Sequence, residues 1–487
     1  MAAIFFRILL LCLFLCKIKC FSNTEECFAS KGLLVINPNF DAYNFTRSQL
    51  YTTGTIYQPQ GVIIVRSVHD VYNTIECAKE TEAHITVRSG GHSYESYSHG
   101  SNKSWIIDFV NYNKINVNEK QQTVTINSGV KVRELNDFLA ERGFFLPTGT
   151  CNSVGIAGLS LGGGVGITSP EYGLTQDYIL AIQIVMSDGN VLDVSKHQHP
   201  DLFWALRGAG GGNFGVVTKI TFKILHPPKC TIGIKKLYEN MFAHDLFHIW
   251  QTYFTSEDAD RSISAFITVN DPGNGKTVLD VTIATKSEKE CMLSLEKVLQ
   301  LFPGINQNEI TYFQSYNEAH TSKAEDYELP AGSAPSCQIT INFLVEKPLT
   351  YEESKKAIEL LLNAGNDFSM FAGRHGGRIN DVHPRETAFV HRDAEYLITL
   401  YSVKDCSVNA QATLQRLFEE YDFMDNRLSY QNLISKLQLN YLQRYYGENL
   451  PRLIHIKRSY DPDNFFCFPQ SIPAGFDEKE NYCPFDQ

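Results

Sequence analysis

The sequence lacks the features that would suit a nucleic acid, a metal ion or a membrane as partner. Its formal net charge is −11 and no stripe of Lys and Arg stands out, so we expect no nucleic acid partner. It has no zinc, phosphate-loop or nucleophile-elbow signature and no convincing metal-ligand spacing. A hydrophobic fraction of 43% and a charged fraction of 20% are typical of a globular protein, and 487 residues suggest two or so domains.

The N-terminus has the pattern of a signal peptide, which we expect over residues 1–20. Arg7 precedes an apolar run over residues 8–16 that is too short to span a bilayer comfortably. Lys17 and Lys19 follow this run, so a signal anchor is the alternative. The rest of the sequence has no run of transmembrane length and no tail of the lipid-anchor kind. We therefore expect a secreted chain, outside the cell or in the secretory-pathway lumen, without a stable membrane span.

Cysteine usage agrees with an oxidising compartment. Of the twelve cysteines, three lie in the predicted signal peptide. The remaining ones are Cys27, Cys77, Cys151, Cys230, Cys291, Cys337, Cys406, Cys467 and Cys483. If Cys151 binds a cofactor, an even number is left, which suits disulfides. Acceptor sequons for N-glycans begin at Asn44 and Asn102.

Apolar periodicity predicts alternating helices and strands on both sides of a break at residues 226–228 (His-Pro-Pro). Residues 188–190, between two apolar runs, predict a β-hairpin. We predict strands over residues 61–66, 85–87, 123–127, 182–186, 191–194, 216–224, 266–269, 278–283 and 338–343. We predict helices over residues 69–81, 131–142, 287–302 and 351–364. The second half therefore predicts a sheet with helices on one face.

A glycine-rich stretch matches the spacing of a dinucleotide-binding motif. Gly210, Gly212 and Gly215 satisfy G-x-G-x-x-G. A Rossmann fold requires a helix directly after this motif, whereas residues 216–224 are β-branched and alternate like a strand. We therefore reject the Rossmann interpretation and expect a segment that brings its backbone near a nucleotide and then enters a sheet.

Two further segments combine glycine turns with a nucleophile. His92 lies in residues 88–94 (RSGGHSY), and Cys151 lies in residues 149–155 (GTCNSVG). Glycine-rich turns can bring backbone N–H groups close to a phosphate. An imidazole and a thiolate beside such turns could bond a cofactor covalently.

Both segments resemble the flavin-attachment segments of the berberine bridge enzyme-like FAD-linked oxidases, which are PCMH-type members of the vanillyl-alcohol oxidase superfamily. The resemblance extends from about residue 27 to residue 473 and is weakest between residues 230 and 372. The other segments that carry it are residues 161–166 (LGGGVG), 172–177 (YGLTQD), 188–190 (DGN), 202–208 (LFWALRG), 211–217 (GGNFGVV), 460–466 (YDPDNFF) and 470–473 (QSIP).

The resemblance implies an α+β fold in which successive parts of the chain bind the cofactor and the substrate. A two-part PCMH-type FAD-binding domain would span residues 27–228. A substrate-binding domain, an antiparallel sheet with helices on one face, would span residues 229–430. A C-terminal segment, residues 431–487, would return to the FAD domain. In plant relatives the pair matching Cys27 and Cys77 is disulfide-bonded, so we expect that bond here.

The resemblance also implies a bicovalent FAD. His92 would bond the 8α-methyl carbon of the flavin, and Cys151 would bond carbon 6. Two anchors would fix the ring, raise its reduction potential and let the pocket stay open. The expected cofactor-binding residues are His92, Cys151, Arg88, Ser89, Gly90, Gly91, Ser93, Gly155, Gly158, Gly163, Gly164, Asn213, Gly215, Val217 and Asn464.

Four catalytic positions follow from the same resemblance. Val154 occupies the family's oxygen-gating position, where Val accompanies oxidases. Tyr430 corresponds to the first Tyr of the family's Tyr-x-Asn-Tyr motif, whose second Tyr is missing here. Tyr430 is our general-base candidate, with a structural role as the alternative. Tyr94 matches an active-site Tyr or simply caps its loop. Thr399 stands where alkaloid-forming members carry a carboxylate, so alkaloid ring closure is not expected. Leu159 stands where plant members often have His near the flavin pyrimidine, which could lower the flavin potential or simply reshape the pocket.

We therefore expect an FAD-dependent oxidase that takes a hydride from a secondary alcohol or a sugar hemiacetal and releases hydrogen peroxide from O2. One alternative is an oxidase of aromatic or allylic alcohols or of a specialised metabolite. The alternative from another class is a flavin-loaded binding protein with weak catalysis, which the missing second Tyr and Leu159 favour. Resemblance of fold alone does not decide among them.

Overall fold

A computed structural model describes residues 23–271, 275–323, 335–424, 427–475 and 483. The predicted signal peptide lies outside these described residues. None of the helices within them has the length and apolar character needed to cross a membrane. Both predicted glycan acceptors, Asn44 and Asn102, are exposed to solvent.

The strands fall into three large sheets and one two-stranded pair. In chain order, β1 to β18 are Leu34–Ile36, Tyr51–Thr52, Gly61–Ile64, His84–Arg88, Ser104–Asp108, Ile115–Asn118, Thr123–Asn127, Ile179–Val185, Val191–Ser195, Val216–Lys223, Cys230–Tyr238, Ile263–Val269, Thr277–Thr285, Ile310–Phe313, Ser336–Cys337, Ile339–Val345, Ser369–Arg374 and Tyr396–Ser402.

The described helices pack on these sheets. In chain order, α1 to α14 are Thr24–Ser30, Tyr43–Thr46, Val68–Glu80, Val132–Ala140, Ile156–Leu161, Ser169–Tyr172, Pro200–Ala205, Ala243–Phe254, Glu288–Leu301, Tyr316–Lys323, Tyr351–Ala364, Val408–Glu420, Tyr441–Tyr446 and Leu450–Tyr460. Short 3₁₀ helices cover Tyr97–His99, Thr175–Tyr178, Asn240–Phe242, Gln307–Glu309, Gly377–Asp381, Asp422–Met424, Gln431–Leu433 and Gly447–Asn449.

The first sheet has the strand order β1-β3-β5-β4. Strands β3, β5 and β4 run parallel, and β1 is antiparallel to β3. Strands β3 and β5 are buried along their whole length, as is typical of parallel strands covered on both faces. Helix α3 begins at the N-cap Ser67, whose side chain accepts a hydrogen bond from the Asp70 N–H. A disulfide joins Cys27 on α1 to Cys77 on α3 beneath this sheet.

The second sheet is antiparallel, with the order β6-β7-β10-β8-β9. The predicted hairpin joins β8 to β9, and Gly189 supplies the turn with a φ of 86°. Strand β10 directly follows Gly215. This confirms the prediction that a strand, and not the helix of a Rossmann fold, follows the glycine-rich stretch. One face of this sheet packs against α4, α5 and α7.

The third sheet is antiparallel and has seven strands, in the order β14-β11-β13-β12-β17-β18-β16. Alternate residues of each central strand, such as Ile263, Ala265 and Ile267 on β12, are buried in a core shared with α8, α9, α11 and α12. This confirms the predicted sheet with helices on one face. On the opposite face of β16, the Asn342 amide donates to the Tyr430 and Leu433 carbonyls, near the start of the C-terminal segment.

Two transitions in the chain lie close to the boundaries expected from the resemblance. Residues 226–228 separate β10 of the second sheet from β11 of the third. After α12 the chain leaves the third sheet, and Tyr446, Leu453 and Ile454 of α13 and α14 join the core of the second sheet. The C-terminal segment therefore packs against the first half of the chain.

Candidate functional site

A cavity of about 390 Å³ lies where the first two sheets meet the C-terminal segment. Four stretches of chain supply much of its wall: residues 89–94, 149–151, 209–213 and 430–434. The cavity therefore gathers the two predicted attachment segments, the glycine-rich stretch and the general-base candidate around one space.

Close glycine contacts join the two attachment loops. A Cβ on Gly90 would lie 2.2 Å from the backbone N of Gly155, and a Cβ on Gly155 would lie 2.5 Å from the backbone N of Gly90. Only residues without side chains allow this backbone approach. It brings the loop carrying His92 against the loop carrying Cys151, although the two are far apart in sequence.

His92 is half-buried in this wall. Burial lowers the pKa of His92 to about 4, with a smaller contribution from the positive charge of Lys131. The imidazole is therefore neutral at physiological pH, as a nucleophile must be. Its Nε2 lies 2.9 Å from the Ser153 hydroxyl, and the ring of Tyr51 packs edge-on at 5.8 Å. Tyr51 also packs against Tyr94, at 4.9 Å.

Cys151 differs from the other described cysteines. The remaining eight form four disulfides, Cys27–Cys77, Cys230–Cys291, Cys337–Cys406 and Cys467–Cys483. Cys151 is a thiol outside these bonds, is partly exposed and lines the cavity. The even number of cysteines expected to remain beside Cys151 is thus fully used in disulfides.

Tyr430 points its hydroxyl at a set of hydrogen-bond donors. The Gly164 N–H and the Asn432 amide donate to its Oη over 3.0 and 2.8 Å. Burial raises the pKa of Tyr430 to about 12, and hydrogen bonds from Gly164, Asn432 and the Val165 backbone act against that rise. These donors stabilise a phenolate more than a phenol, but burial outweighs them, so the pKa of Tyr430 stays above its ordinary value.

The cavity wall fits a nucleotide cofactor. Gly158 lines it on α5, and a Cβ there would meet no atom within 4 Å. At Gly210 and Gly211 the nearest atoms to an added Cβ lie 3.7 and 3.8 Å away. The backbone at these positions is open to a ligand, as a pyrophosphate requires. Together with an imidazole and a thiol, this wall suits a flavin nucleotide that can be attached covalently.

The C-terminal segment braces the glycine-rich wall. The Tyr446 hydroxyl donates to the Ala209 carbonyl over 3.0 Å, and the buried Lys457 ammonium donates to the Asn213 carbonyl over 2.6 Å. The Asn213 side chain donates to Ala209 and accepts from the Ile472 N–H. Asn213 was expected to bind the cofactor; its side chain holds the loop, and the residue lines the cavity.

The structure also shows what the other expected site residues do. Arg88 forms a buried ion pair with Asp108. A Cβ on Gly163 would lie 3.2 Å from the Tyr430 hydroxyl, so Gly163 leaves room for that ring, whereas a Cβ on Gly164 would lie 2.3 Å from the Thr175 hydroxyl. Asn464 adopts a left-handed conformation, with a φ of 51°, in the turn after α14. None of these four is among the described residues that line the cavity.

Thr399 likewise does not line the cavity among the described residues. It lies on β18 between Asn342 of β16 and Phe371 of β17. Its hydroxyl oxygen is buried and has no hydrogen-bond partner within the described part of the chain. The remaining expected site residues do line the cavity: Ser89, Gly91, Ser93, Tyr94, Val154, Gly155, Gly215 and Val217.

Sequence reasoning missed several residues that shape the site. Asn432 lies inside the motif that gave Tyr430, and Ser153 lies inside the motif that gave Cys151, so the motifs already contained them. Glu95 gave no such signal. It is buried and accepts hydrogen bonds from the Thr53 hydroxyl and the Lys436 N–H, which ties the His92 loop to two distant segments. Burial raises the pKa of this carboxyl.

Comparisons with known proteins agree with this geometry. Residues 59–195 match the family model of an FAD binding domain, and residues 421–473 match the model described as berberine and berberine like. The chain is 30% identical over 444 residues to the FAD-linked oxidoreductase YgaK of Bacillus subtilis, covering 88% of this chain and 94% of that protein.

Two solved structures share the fold. BBE-like 1 of Physcomitrella patens has a TM-score of 0.84 and 27% identity, covering 94% of this chain and all of the other. Glucooligosaccharide oxidase from Acremonium strictum, described as carrying a 6-S-cysteinyl, 8α-N1-histidyl FAD, has a TM-score of 0.81 and 20% identity. It covers 93% of this chain and 99% of its own. At that identity the likeness concerns the fold alone.

Proposed function

Because the chain belongs to the berberine bridge enzyme-like family of FAD-linked oxidoreductases, we propose that it oxidises an alcohol or a sugar hemiacetal with O2 as final electron acceptor. It is an FAD-binding oxidoreductase of mixed α and β structure. The observation that carries the proposal is the meeting of His92, Cys151 and Tyr430 around one cavity.

The proposal includes two covalent links, from His92 to the flavin 8α carbon and from Cys151 to carbon 6. A neutral imidazole and a thiol outside every disulfide support it. The glycine-rich wall at residues 209–213 would hold the nucleotide part through backbone groups. Bound FAD supplies a hydride acceptor and passes the electrons to O2, which yields hydrogen peroxide.

Tyr430 is the proposed general base. Its phenolate would accept the proton of the substrate hydroxyl while the hydride leaves the carbon that bears this hydroxyl. The donors at Gly164, Val165 and Asn432 stabilise that phenolate without a cationic side chain. Leu433 takes the place of the family's second Tyr. Tyr94 lines the same cavity and would help to orient the substrate.

The lining favours an uncharged substrate. None of the described residues that line the cavity is Asp, Glu, Lys or Arg. A wall without charged side chains offers no ion-pair partner to an ammonium or carboxylate group of a substrate, whereas the pyrophosphate of FAD would be held by backbone N–H groups. This supports alcohols and neutral sugars over alkaloids, in agreement with Thr399 standing in place of a carboxylate. An aromatic or allylic alcohol satisfies the same condition and is the second candidate.

Val154 supports the oxidase assignment. It lies in the loop after Cys151 and lines the cavity. Four disulfides and two exposed sequons support secretion into an oxidising compartment. We retain the proposed domains, residues 27–228, 229–430 and 431–487, because the chain changes sheets near those boundaries.

The test begins with acid precipitation of the purified protein. We expect yellow colour in the pellet and its loss when His92 and Cys151 are both replaced by Ala. Flavin released into the supernatant of the unaltered protein would contradict covalent attachment. Neutral sugars and aromatic or allylic alcohols are then screened for peroxide release, which separates the two substrate classes.

Tyr430→Phe tests the proposed general base, because it removes the hydroxyl and keeps the ring. It should keep the attached flavin and slow substrate-dependent flavin reduction by about 10² to 10⁴-fold, the usual contribution of a general base. If no compound of either class reduces the flavin of the unaltered protein, although compounds still bind, the chain acts as a flavin-containing binding protein.

A further inference from the structure

Ser153 is the polar neighbour of the His92 ring on the wall of the cavity. Its hydroxyl lies 2.9 Å from Nε2, and the residue is 7% exposed. It belongs to the loop that carries Cys151. One short loop therefore presents both the thiol and a hydroxyl aimed at the imidazole of the other anchor.

Backbone hydrogen bonds on both sides of Ser153 fix this geometry. The Arg133 N–H donates to the Asn152 carbonyl over 3.0 Å, and the Val132 N–H donates to the Val154 carbonyl over 2.9 Å. The contact between Gly90 and Gly155 holds the His92 loop on the other side. The hydroxyl thus stays opposite Nε2.

A neutral imidazole carries its single proton on one of its two nitrogens, and the hydrogen bond at one nitrogen decides which one is protonated. We propose that Ser153 is a positioning residue for flavin attachment, whose hydroxyl accepts the Nε2–H of His92 and so leaves the Nδ1 lone pair to attack the flavin 8α carbon. This inference rests on the covalent attachment proposed above and adds the residue that selects the reacting nitrogen.

The chemistry balances with O2 as the oxidant. A bond forms between Nδ1 and the 8α carbon, while one C–H bond of the methyl group and the Nε2–H bond break. The electron pair from the C–H bond enters the isoalloxazine and then reduces O2, and the two protons complete hydrogen peroxide. The linked Nε2 then carries a lone pair. The same hydroxyl can donate to it, because a serine hydroxyl both accepts and donates.

The test uses the full chain as unaltered protein, Ser153→Ala, Ser153→Thr and Ser160→Ala. Ser160 is a matched control, since its buried hydroxyl on α5 bonds only the backbone among the described residues. Mass spectrometry of the proteolytic peptides measures flavin on the His92 peptide and on the Cys151 peptide during maturation with FAD in air. We expect Ser153→Ala to slow attachment at His92 by about tenfold, the effect of losing one buried hydrogen bond.

In the same experiment, attachment at Cys151 should stay near normal, while Ser153→Thr restores attachment at His92 and Ser160→Ala leaves both unchanged. Unaltered kinetics at His92 in Ser153→Ala would overturn the inference. So would equal loss at both peptides that Ser153→Thr does not repair, because that result indicates packing only. If the unaltered protein carries no flavin on the His92 peptide, the covalent attachment itself is wrong.

Discussion

At the scale of single residues, the Tyr430 hydroxyl depends on its donors. Asn432→Ala removes one hydrogen bond that lowers the pKa of Tyr430, so this pKa rises further above its ordinary value. The reactive form of a general base is the deprotonated one, so the rising limb of kcat/KM moves to higher pH. At neutral pH the rate should fall by about tenfold, which corresponds to one hydrogen bond of about 1.4 kcal/mol.

The pH profile of kcat/KM distinguishes this effect from simple loss of packing. Asn432 also donates to the Leu159 carbonyl over 2.9 Å, so its removal could disturb α5 as well. A purely structural defect would lower the rate by the same factor on the rising limb and on the plateau, whereas a raised pKa lowers the rate on the rising limb and leaves the plateau unchanged. A lower rate with an unmoved pH midpoint would therefore contradict the donor role of Asn432.

Val154 tests the oxygen chemistry at the same scale. Val154→Leu adds one methylene group to the cavity wall, and we expect it to slow reoxidation of the flavin by O2. The anaerobic reduction of the flavin by substrate should keep its rate, since Tyr430 is untouched. Stopped-flow measurement of the two half-reactions separates these effects. Rapid reoxidation in the variant would show that Val154 only packs.

The motifs contained many residues of the cavity wall but did not distinguish residues that line the cavity from residues that hold the wall in place. His92 and Cys151 could be found from the sequence because their segments, together with the later motifs in order, resemble those of the family. Asn213 and Arg88 share those motifs, yet their side chains bond to protein groups. The difference depends on which way a side chain points, and that is decided by partners from distant segments such as Ile472.

At the scale of elements, the contact between the two attachment loops depends on glycine. Gly90→Ala would place a Cβ 2.2 Å from the backbone N of Gly155, and backbone cannot move aside cheaply. We expect a loss of about 1 to 3 kcal/mol in the free energy of unfolding, as for other overpacked sites. Both covalent links should fail together, because the two loops separate. Retention of either link at its normal level would contradict this account.

Gly158→Ala is the matched variant in which stability and cofactor binding should move in opposite directions. Its Cβ would meet no protein atom, and alanine favours a helix over glycine by up to about 1 kcal/mol. The melting temperature of the cofactor-free chain should therefore hold or rise. The flavin content should fall, since the methyl group occupies the cavity. Unchanged flavin content, read from the ratio of flavin to protein absorbance, would show that this part of the wall is free of cofactor.

Elements with a clear periodicity of apolar residues could be predicted from the sequence. Elements whose place depends on pairing with neighbouring strands could not. The helix predicted over residues 351–364 has these same bounds in the structure, with Thr350 as its N-cap. Strand β11 gave no comparable pattern, because Gly233 and two lysines interrupt its apolar residues. Its place is fixed by pairing with β13 over nine residues, which only the folded sheet provides.

At the scale of the whole molecule, an ion pair joins the two halves of the chain. Arg392, just before β18, donates to both carboxylate oxygens of Asp177, over 3.0 and 2.6 Å. The two residues are 215 positions apart, and we had noted the segment of Asp177 only as a motif. Sequence alone could not pair them, because nothing local indicates which distant carboxylate a buried arginine meets.

This ion pair yields a prediction about how the halves are held together. The Arg392 side chain is fully buried, so Arg392→Ala leaves the Asp177 carboxylate without its partner and should cost about 3 to 5 kcal/mol in unfolding free energy. Phe389 packs against both Arg392 and Tyr430, so the rate of flavin reduction should fall too.

The nearby Arg378 provides the control for Arg392→Ala. Its side chain is 58% exposed and pairs with Asp381 at 3.2 Å, so Arg378→Ala should cost no more than about 1 kcal/mol. Denaturant titration, followed by flavin absorbance and by far-UV circular dichroism, measures both variants. Because Asp177 and Arg392 lie in different halves, we expect the two signals of Arg392→Ala to separate as the halves part before either unfolds. Coincident transitions with a loss similar to that of Arg378→Ala would mean that the sheets, and not this ion pair, hold the halves together.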